Sequence, residues 1–273
     1  MKTVRPSAVS GMFYPKDKEE LQSQVENFIA QAKTESFSPI QAVIAPHAGY
    51  FYSGTCAGYA YKALSQKQFK RVLILAPAHR VGGFTCSVGD YRAYSTPLGE
   101  IAVDEEVTAE FLTHDGFDFH PQAHASEHAL EVQLPFLQIL NPSVTIVPIL
   151  YGSQNLETAH YIAQTIHTIL GSSLDETAIV ISSDLSHFHS AVQAESMDKH
   201  LINHVTKMDS DALWGDIRHG NIEACGVGGI IAALILAEIT GYSHSTELMY
   251  THSGKVTGDN SQVVGYFSAV IHQ

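Results

Sequence analysis

The stretch AVIAPHAGY, residues 42–50, decides the fold class, because a short apolar run ends abruptly in proline and then histidine. Proline cannot donate a backbone hydrogen bond to a neighbouring strand, so the run stops there. Two other apolar runs also end in polar residues: residues 72–76 lead into Pro77-Ala78-His79, and residues 178–181 lead into SSDLSH, residues 182–187. Such short, apolar, β-branched runs predict central strands covered by helices on both sides.

Strand and helix patterns alternate along the rest of the chain. A fourth central strand is predicted at residues 144–150, and a helix capped by Asp17 begins before Leu21. Further helices are predicted at residues 54–64, 104–112, 127–140 and 156–170, and two antiparallel edge strands at residues 246–250 and 263–271. This order predicts an α/β fold with a central, largely parallel sheet flanked by helices. Because no repeat or long linker interrupts it, we expect one domain over residues 1–273.

Composition excludes several classes of partner. The chain has 28 acidic and 15 basic residues, so its formal charge is −13, which argues against binding to nucleic acid or to an anionic membrane. Three cysteines are an odd and sparse set, and no secretion signal is visible, so we expect a cytoplasmic protein with free thiols. Sixteen histidines motivate a search for a metal site.

Two histidines stand where a shared site is expected. His47 and His79 each follow an apolar strand and a proline. In open α/β sheets, ligands bind beyond the carboxyl ends of the strands, so distant residues converge there. A lone histidine is more often a hydrogen-bonded core residue, but the repeated strand-proline-histidine pattern favours a metal bound by both.

Cys225 lies in a glycine-rich turn before an apolar helix predicted at residues 230–239. A helix N-terminus lowers the pKa of a thiol, and the thiolate is the form that binds metals. The alternative is a buried, inert cysteine. Asp184 and His187 are three residues apart at a strand terminus, so the carboxylate is expected to orient the imidazole as a base, although such residues also cap helices.

The segment SEHALE, residues 126–131, is interpreted as the opening turn of a helix. Its acidic side chains have an ordinary explanation there, since they favour the positive end of the helix dipole. Only His128, on the same turn, indicates a functional role.

Together these motifs resemble the Memo family, whose prokaryotic members are labelled AmmeMemoRadiSam system protein B. The resemblance rests on VIAPHAGY (43–50), APAH (76–79), Glu127-His128 with Glu131, SSDLSH (182–187), ACG (224–226) and the opening RPSAVSGMFYP (5–15). It implies an α/β fold similar to the class III extradiol (LigB-like) non-haem iron dioxygenases. Those enzymes bind iron through two histidines and a glutamate.

The resemblance also implies a site. The metal ligands map onto His47, His79 and Cys225, and His128, Asp184 and His187 match catalytic positions of the same cleft. Two imidazoles and a thiolate suit iron or copper, with zinc as an alternative. We therefore expect a metal-dependent oxidoreductase of unknown substrate.

Two other functions remain open from the sequence. The same cleft suits a zinc-type metallohydrolase, or a protein that binds a peptide or a metabolite without catalysis. The ligand is expected to be a small molecule or a peptide. The family label alone implies a link to a radical enzyme and to an AMMECR1-like protein.

Overall fold

A sheet of twelve strands organises residues 2–273, which the computed structural model describes. The strands are β1 (Val4–Arg5), β2 (Ile40–Ala45), β3 (Arg71–Pro77), β4 (Cys86–Val88), β5 (Ala93–Thr96), β6 (Gly99–Val103), β7 (Phe117–Asp118), β8 (Thr145–Tyr151), β9 (Thr177–Ser182), β10 (Asp184–His189), β11 (His244–His252) and β12 (Val263–His272). The helices are α1 (Lys18–Gln31), α2 (Tyr50–Leu64), α3 (Glu105–Phe111), α4 (Pro121–Ala125), α5 (Leu134–Leu140), α6 (Leu156–Leu170), α7 (Ala191–Thr206), α8 (Ser210–His219), α9 (Val227–Thr240) and α10 (Gly254–Thr257), with 3₁₀ turns at Glu131–Gln133 and Gly171–Glu176.

The middle of the sheet is parallel. Strands β6, β8, β3, β9 and β2 lie side by side in that order and run in the same direction. The long strand β12 is antiparallel to β2, and it also pairs antiparallel with β10 and β11. The sheet is therefore mixed but mostly parallel, as the alternation of strands and helices predicts.

Both faces of the central strands are buried. On β3, Leu73 and Leu75 point into a core shared with α6 and α9, while Val72 and Ile74 point into a second core that includes residues of α2 and α5. Successive strand side chains alternate between faces, so a strand between two helical layers must be apolar throughout. This is the physical reason why these strands could be found from short apolar runs.

The four predicted central strands are confirmed, each with ends within two residues of the prediction. Two other predictions need correction. The helix expected over residues 127–140 begins only at Leu134, because Pro135 suits a first helical turn and the segment before it takes up other hydrogen bonds. The C-terminal strands are antiparallel, as predicted, and β11 pairs only with β12 in the part of the chain that the structure describes, but β12 lies inside the sheet, with β11 along one side and β2 and β10 along the other.

Helices on the C-terminal side of the chain complete the layers. The predicted helix over residues 230–239 is confirmed as α9, which is buried against the sheet. Helices α7 and α8 were not predicted. None of the helices in residues 2–273 combines the length and the apolar character that crossing a membrane requires.

A buried ion pair joins the N-terminal segment to the chain that precedes α5. The Arg5 guanidinium contacts the Glu131 carboxylate, and both side chains are almost fully buried. Arg5 also donates to the carbonyls of His124 and Glu127 at 2.8 Å. Glu131 accepts from the Tyr14 hydroxyl at 2.5 Å. These bonds fix the segment on which Glu127 stands.

We predict that Glu131→Ala lowers the free energy of unfolding by about 3–5 kcal/mol, because it leaves the Arg5 charge buried without a partner. The measurement is urea denaturation of both proteins. The control is Glu100→Ala, which breaks the exposed pair with Arg92 and should cost less than about 1 kcal/mol. Equal losses in the two variants would contradict a stabilising role for the buried pair.

Candidate metal centre

The candidate site lies where three parallel strands end. Strand β2 leads to His47, β3 leads to His79, and β9 leads to Asp184. Because β2 and β3 both pair in parallel with β9, their carboxyl ends meet at the same edge of the sheet. The structure therefore brings together residues that lie more than a hundred positions apart.

Three imidazoles form the centre of the site. The ring of His47 lies 5.1 Å from that of His79 and 5.4 Å from that of His128, and the latter two are 4.6 Å apart. The three offer nitrogen atoms that all lie within 4.8 Å of one another. The fourth group is Cys225, whose Sγ lies 3.0 Å from His47 Nε2. His128 is therefore close enough to His47 and His79 to be a further ligand of the same ion.

Hydrogen bonds determine which nitrogen of His47 carries the proton. The Ser182 hydroxyl donates its single proton to the Ala129 carbonyl at 2.6 Å and accepts from the Gln133 amide at 2.9 Å. A hydroxyl has one proton and two acceptor positions, so the remaining contact, 2.8 Å to His47 Nδ1, must receive a proton from the ring. Nε2 of His47 is then left with a free lone pair that faces Cys225.

The same argument applies to His79. Its Nδ1 lies 3.0 Å from the Glu127 carboxylate, which as an anion can only accept, so Nδ1 carries the proton and Nε2 is free. Glu127 is almost fully buried and also accepts the backbone N–H of His79 at 2.7 Å. A carboxylate that fixes the ring of a histidine is the usual outer support of a metal ligand.

Glu127 remains an anion despite its burial. Burial alone would raise its pKa, but hydrogen bonds from His128 and His79 hold the pKa well below its ordinary value. The interpretation of this segment as the opening turn of a helix is wrong, because residues 127–130 are not helical, and the alternative that its acidic residues favour a helix dipole is lost with it. Glu127 accepts the N–H groups of His128 and Ala129 and thereby shapes the turn itself.

Their surroundings favour the neutral forms of both His47 and Cys225. Burial lowers the pKa of His47 well below its ordinary value, and neighbouring His79 lowers it further. Burial raises the pKa of the Cys225 thiol, and the Asp184 carboxylate raises it further. The expectation that the helix N-terminus lowers the pKa of this thiol is therefore wrong without a metal.

Asp184 and His187 do not form the predicted pair. Asp184 Oδ1 accepts the backbone N–H of His47 at 2.7 Å, and burial raises the pKa of Asp184 to about 6. Nδ1 of His187 donates instead to the Leu185 carbonyl at 2.7 Å, since a carbonyl can only accept. Nε2 of His187 therefore carries the free lone pair of the ring.

A cavity of about 500 Å³ opens beside the imidazoles. Its lining includes all three residues that the sequence predicts to be catalytic, namely His128, Asp184 and His187. Phe13 and Tyr266 contribute apolar wall. His128 Nδ1 lies 3.2 Å from the Glu127 carboxylate. The cavity has room for a small molecule next to these three ionisable side chains.

The donor set fits a metal ion. His47 and His79, held by other groups through Nδ1, present free Nε2 atoms, and the Cys225 thiol lies 3.0 Å from that of His47. The side chains whose ligand atoms all lie within 4.8 Å of one another are His47, His79 and His128. Three such ligands leave a coordination position open, as in catalytic sites. Fold and site together define the class: an α/β protein with a candidate metal centre at the carboxyl edge of a parallel sheet. The architecture is consistent with the LigB-like fold.

Comparison with known proteins identifies the family. The family model described as Memo-like protein matches residues 5–270. The MEMO1 family protein of Methanobrevibacter smithii is 38% identical over 283 aligned residues, covering 98% of this chain and 99% of its own length. The MEMO1 family protein of Methanothermobacter thermautotrophicus is 34% identical, covering 96% and 98%. The chain belongs to the Memo family.

Sequence reasoning missed three supporting residues. Ser182, Gln133 and Glu127 orient the two histidines, but none was assigned that role. The sequence signal that could have identified such a residue is a polar side chain in an otherwise apolar segment. Ser182 ends a wholly buried strand, and a buried polar group needs a partner.

Gly226 allows the loop carrying Cys225 to approach β9 closely. A Cβ added there would lie 2.3 Å from the Ser182 carbonyl oxygen and 2.5 Å from Ser183 Cβ. We predict that Gly226→Ala lowers the free energy of unfolding by about 1–3 kcal/mol, because the backbone must shift. Urea denaturation measures the loss.

Gly215→Ala is the matched control for this prediction. Gly215 lies in α8, and an added Cβ meets no atom within 4 Å. Alanine is favoured over glycine in a helix by about 0.5–1 kcal/mol, so the control should be neutral or more stable. A Gly226→Ala variant as stable as this control would show that the close approach is not needed.

Proposed function

We propose that this Memo family protein is a metal-dependent oxidoreductase that binds iron or copper through His47, His79 and Cys225. The observation that carries the proposal is the pair of free Nε2 atoms, each set by a hydrogen bond on the opposite nitrogen, with the Cys225 thiol 3.0 Å from that of His47. Imidazole and thiolate together suit copper, iron and zinc better than magnesium or calcium.

The residues that line the cavity support proton transfer. His187 Nε2 is free to accept a proton, and the raised pKa of Asp184, about 6, suits a group that gains and loses a proton near neutrality. His128 is the third ionisable side chain of the cavity wall, and it lies beside His47 and His79. A bound redox metal would supply electron transfer, while these three side chains bind and orient the substrate and move its protons.

The test is oxygen consumption by anaerobically purified protein that has been loaded with iron or copper and given ascorbate as the reductant. We expect wild type to consume oxygen and His47→Ala to lose both metal and activity, because a ligand is removed. His160→Ala, which removes an exposed histidine of α6, should behave as wild type. Protein that takes up iron and copper but is redox-silent with each would refute the oxidoreductase proposal.

A zinc-type hydrolase is the second candidate. The observation in its favour is Asp184, a buried carboxylate with raised pKa on the cavity wall, which suits a base that accepts a proton from water. Elemental analysis of protein purified natively separates the candidates, since zinc is redox-inactive and iron or copper supports redox chemistry. A chain that binds a ligand equally well without metal would instead be a binding protein.

We predict that metal binding at neutral pH releases a proton from Cys225. The raised pKa of the thiol means that it is protonated before binding, and a thiol must lose its proton to become a ligand. Acid should therefore weaken binding. A pH indicator in weakly buffered solution should report about one proton more per metal ion for wild type than for Cys225→Ser. Equal release from both would exclude the thiol as a ligand.

The partners and location that we propose follow from the same features. The cavity suits a small molecule or the side chain of a peptide, and the link to a radical enzyme and to an AMMECR1-like protein rests on the family resemblance. Cys56, Cys86 and Cys225 are all free, which supports a reducing compartment such as the cytoplasm.

A further inference from the structure

A second group of metal-ligand side chains lies on helices α7 and α8. His200 and His204 are four residues apart on α7, so they share one face of the helix, and their rings are 4.8 Å apart. Asp216 reaches them from α8. Its Oδ2 lies 2.8 Å from His200 Nε2 and 2.7 Å from His204 Nε2. Three potential ligand atoms from two helices therefore converge on one point.

The charge of Asp216 lacks a permanent counterion. Within residues 2–273, its carboxylate forms ion pairs only with these two imidazoles, and neither a lysine nor an arginine contacts it. The other oxygen, Oδ1, accepts from the Asn221 amide at 2.7 Å, which fixes the carboxylate and leaves Oδ2 for the histidines. A partly buried anion facing two imidazoles in a chain of charge −13 favours a bound cation.

We propose that His200, His204 and Asp216 form a second metal site that binds a divalent transition ion of the zinc type. Zinc takes imidazole nitrogen and carboxylate oxygen as ligands, and three protein ligands leave the fourth position for water. Tetrahedral bonds of about 2.0–2.1 Å place ligand atoms about 3.4 Å apart, so each imidazole must move outward by roughly 0.6 Å and carry its proton on Nδ1, away from Asp216. His200, whose side chain is about half exposed, is free to make that movement.

The position of this site gives the ion a structural role. It would join α7 to α8, and Asn221, which binds Asp216, begins the segment that leads to Cys225. Helix α7 also contributes Asp198, which accepts the backbone N–H of Ser186 on β10 at 3.0 Å. An ion between α7 and α8 would fix Asp198, which binds β10, and the start of the segment that leads to Cys225. The two sites share no ligand.

The experiment is a zinc titration of the full chain by equilibrium dialysis at micromolar free Zn²⁺, followed by elemental analysis. We expect His200→Ala and Asp216→Asn each to bind one zinc equivalent fewer than wild type. His160→Ala, which removes an exposed histidine of α6, should retain the wild-type stoichiometry. The difference of one equivalent is expected whether or not the first centre binds zinc, so failure of the proposed oxidoreductase function is distinguishable from failure of this site.

Two features keep the test decisive. His200→Ala places a better helix former on an exposed part of α7. Asp216→Asn keeps an oxygen that accepts from the Asn221 amide. Both variants should therefore fold, and circular dichroism measures whether they do. With Co²⁺ as the probe, the visible absorption of the four-coordinate ion should decrease in both variants and not in the control. Unchanged zinc stoichiometry in the two variants would overturn the proposal, and so would an equal loss in His160→Ala.

Discussion

Parallel pairing of β2 and β3 with β9 is the constraint on which the site depends. Ala45 of β2 is level with Ser182 of β9, so His47 and Asp184, each two residues further on, lie at the same height beyond the ends of these strands. This places the His47 backbone N–H 2.7 Å from the Asp184 carboxylate. A register shift of one residue would turn the Ser182 side chain to the opposite face and remove the acceptor for His47 Nδ1. The apolar packing on both faces of the sheet prevents that shift.

The two buried carboxylates of the site have opposite electrostatic properties. Glu127 receives hydrogen bonds from two histidines and their neighbouring backbone, which hold its pKa below the ordinary value. Asp184 accepts backbone N–H groups, but burial outweighs them and raises its pKa to about 6. Environments that separate the pKa values of two carboxyl groups give them different roles. Glu127 is suited to orient a ligand, and Asp184 to exchange a proton with what enters the cavity.

A feature could be predicted from the sequence where its cause lies in the segment itself, and could not be predicted where its cause is a contact with a distant segment. Strands β2, β3, β8 and β9 could be located because burial on both faces requires a continuous apolar run. The histidines that follow two of them were visible for the same reason. Strand β10, in contrast, is mostly polar and exists because it pairs with β12, which is about eighty residues away.

The chemistry of the site was less predictable than its position. The pKa of Cys225 depends on how deeply the fold buries the thiol, and the roles of Glu127 and Ser182 depend on partners from other segments. Asp184 and His187 are close in sequence, yet each binds a different backbone group. Sequence spacing could nominate these side chains, but only the packed structure assigns their partners.

Charge balance explains why a thiol can serve in this centre. The Cys225 thiol is protonated and the Glu127 carboxyl group is ionised. The region around His79 therefore carries one buried negative charge, which neutral imidazoles stabilise by hydrogen bonds alone. A divalent ion that displaces the thiol proton would add two positive charges and one negative charge, and with Glu127 the sum is zero. Buried charges are stable when they are paired in this way. In the proposed centre, Asp184 would then change its protonation beside groups whose charges sum to zero.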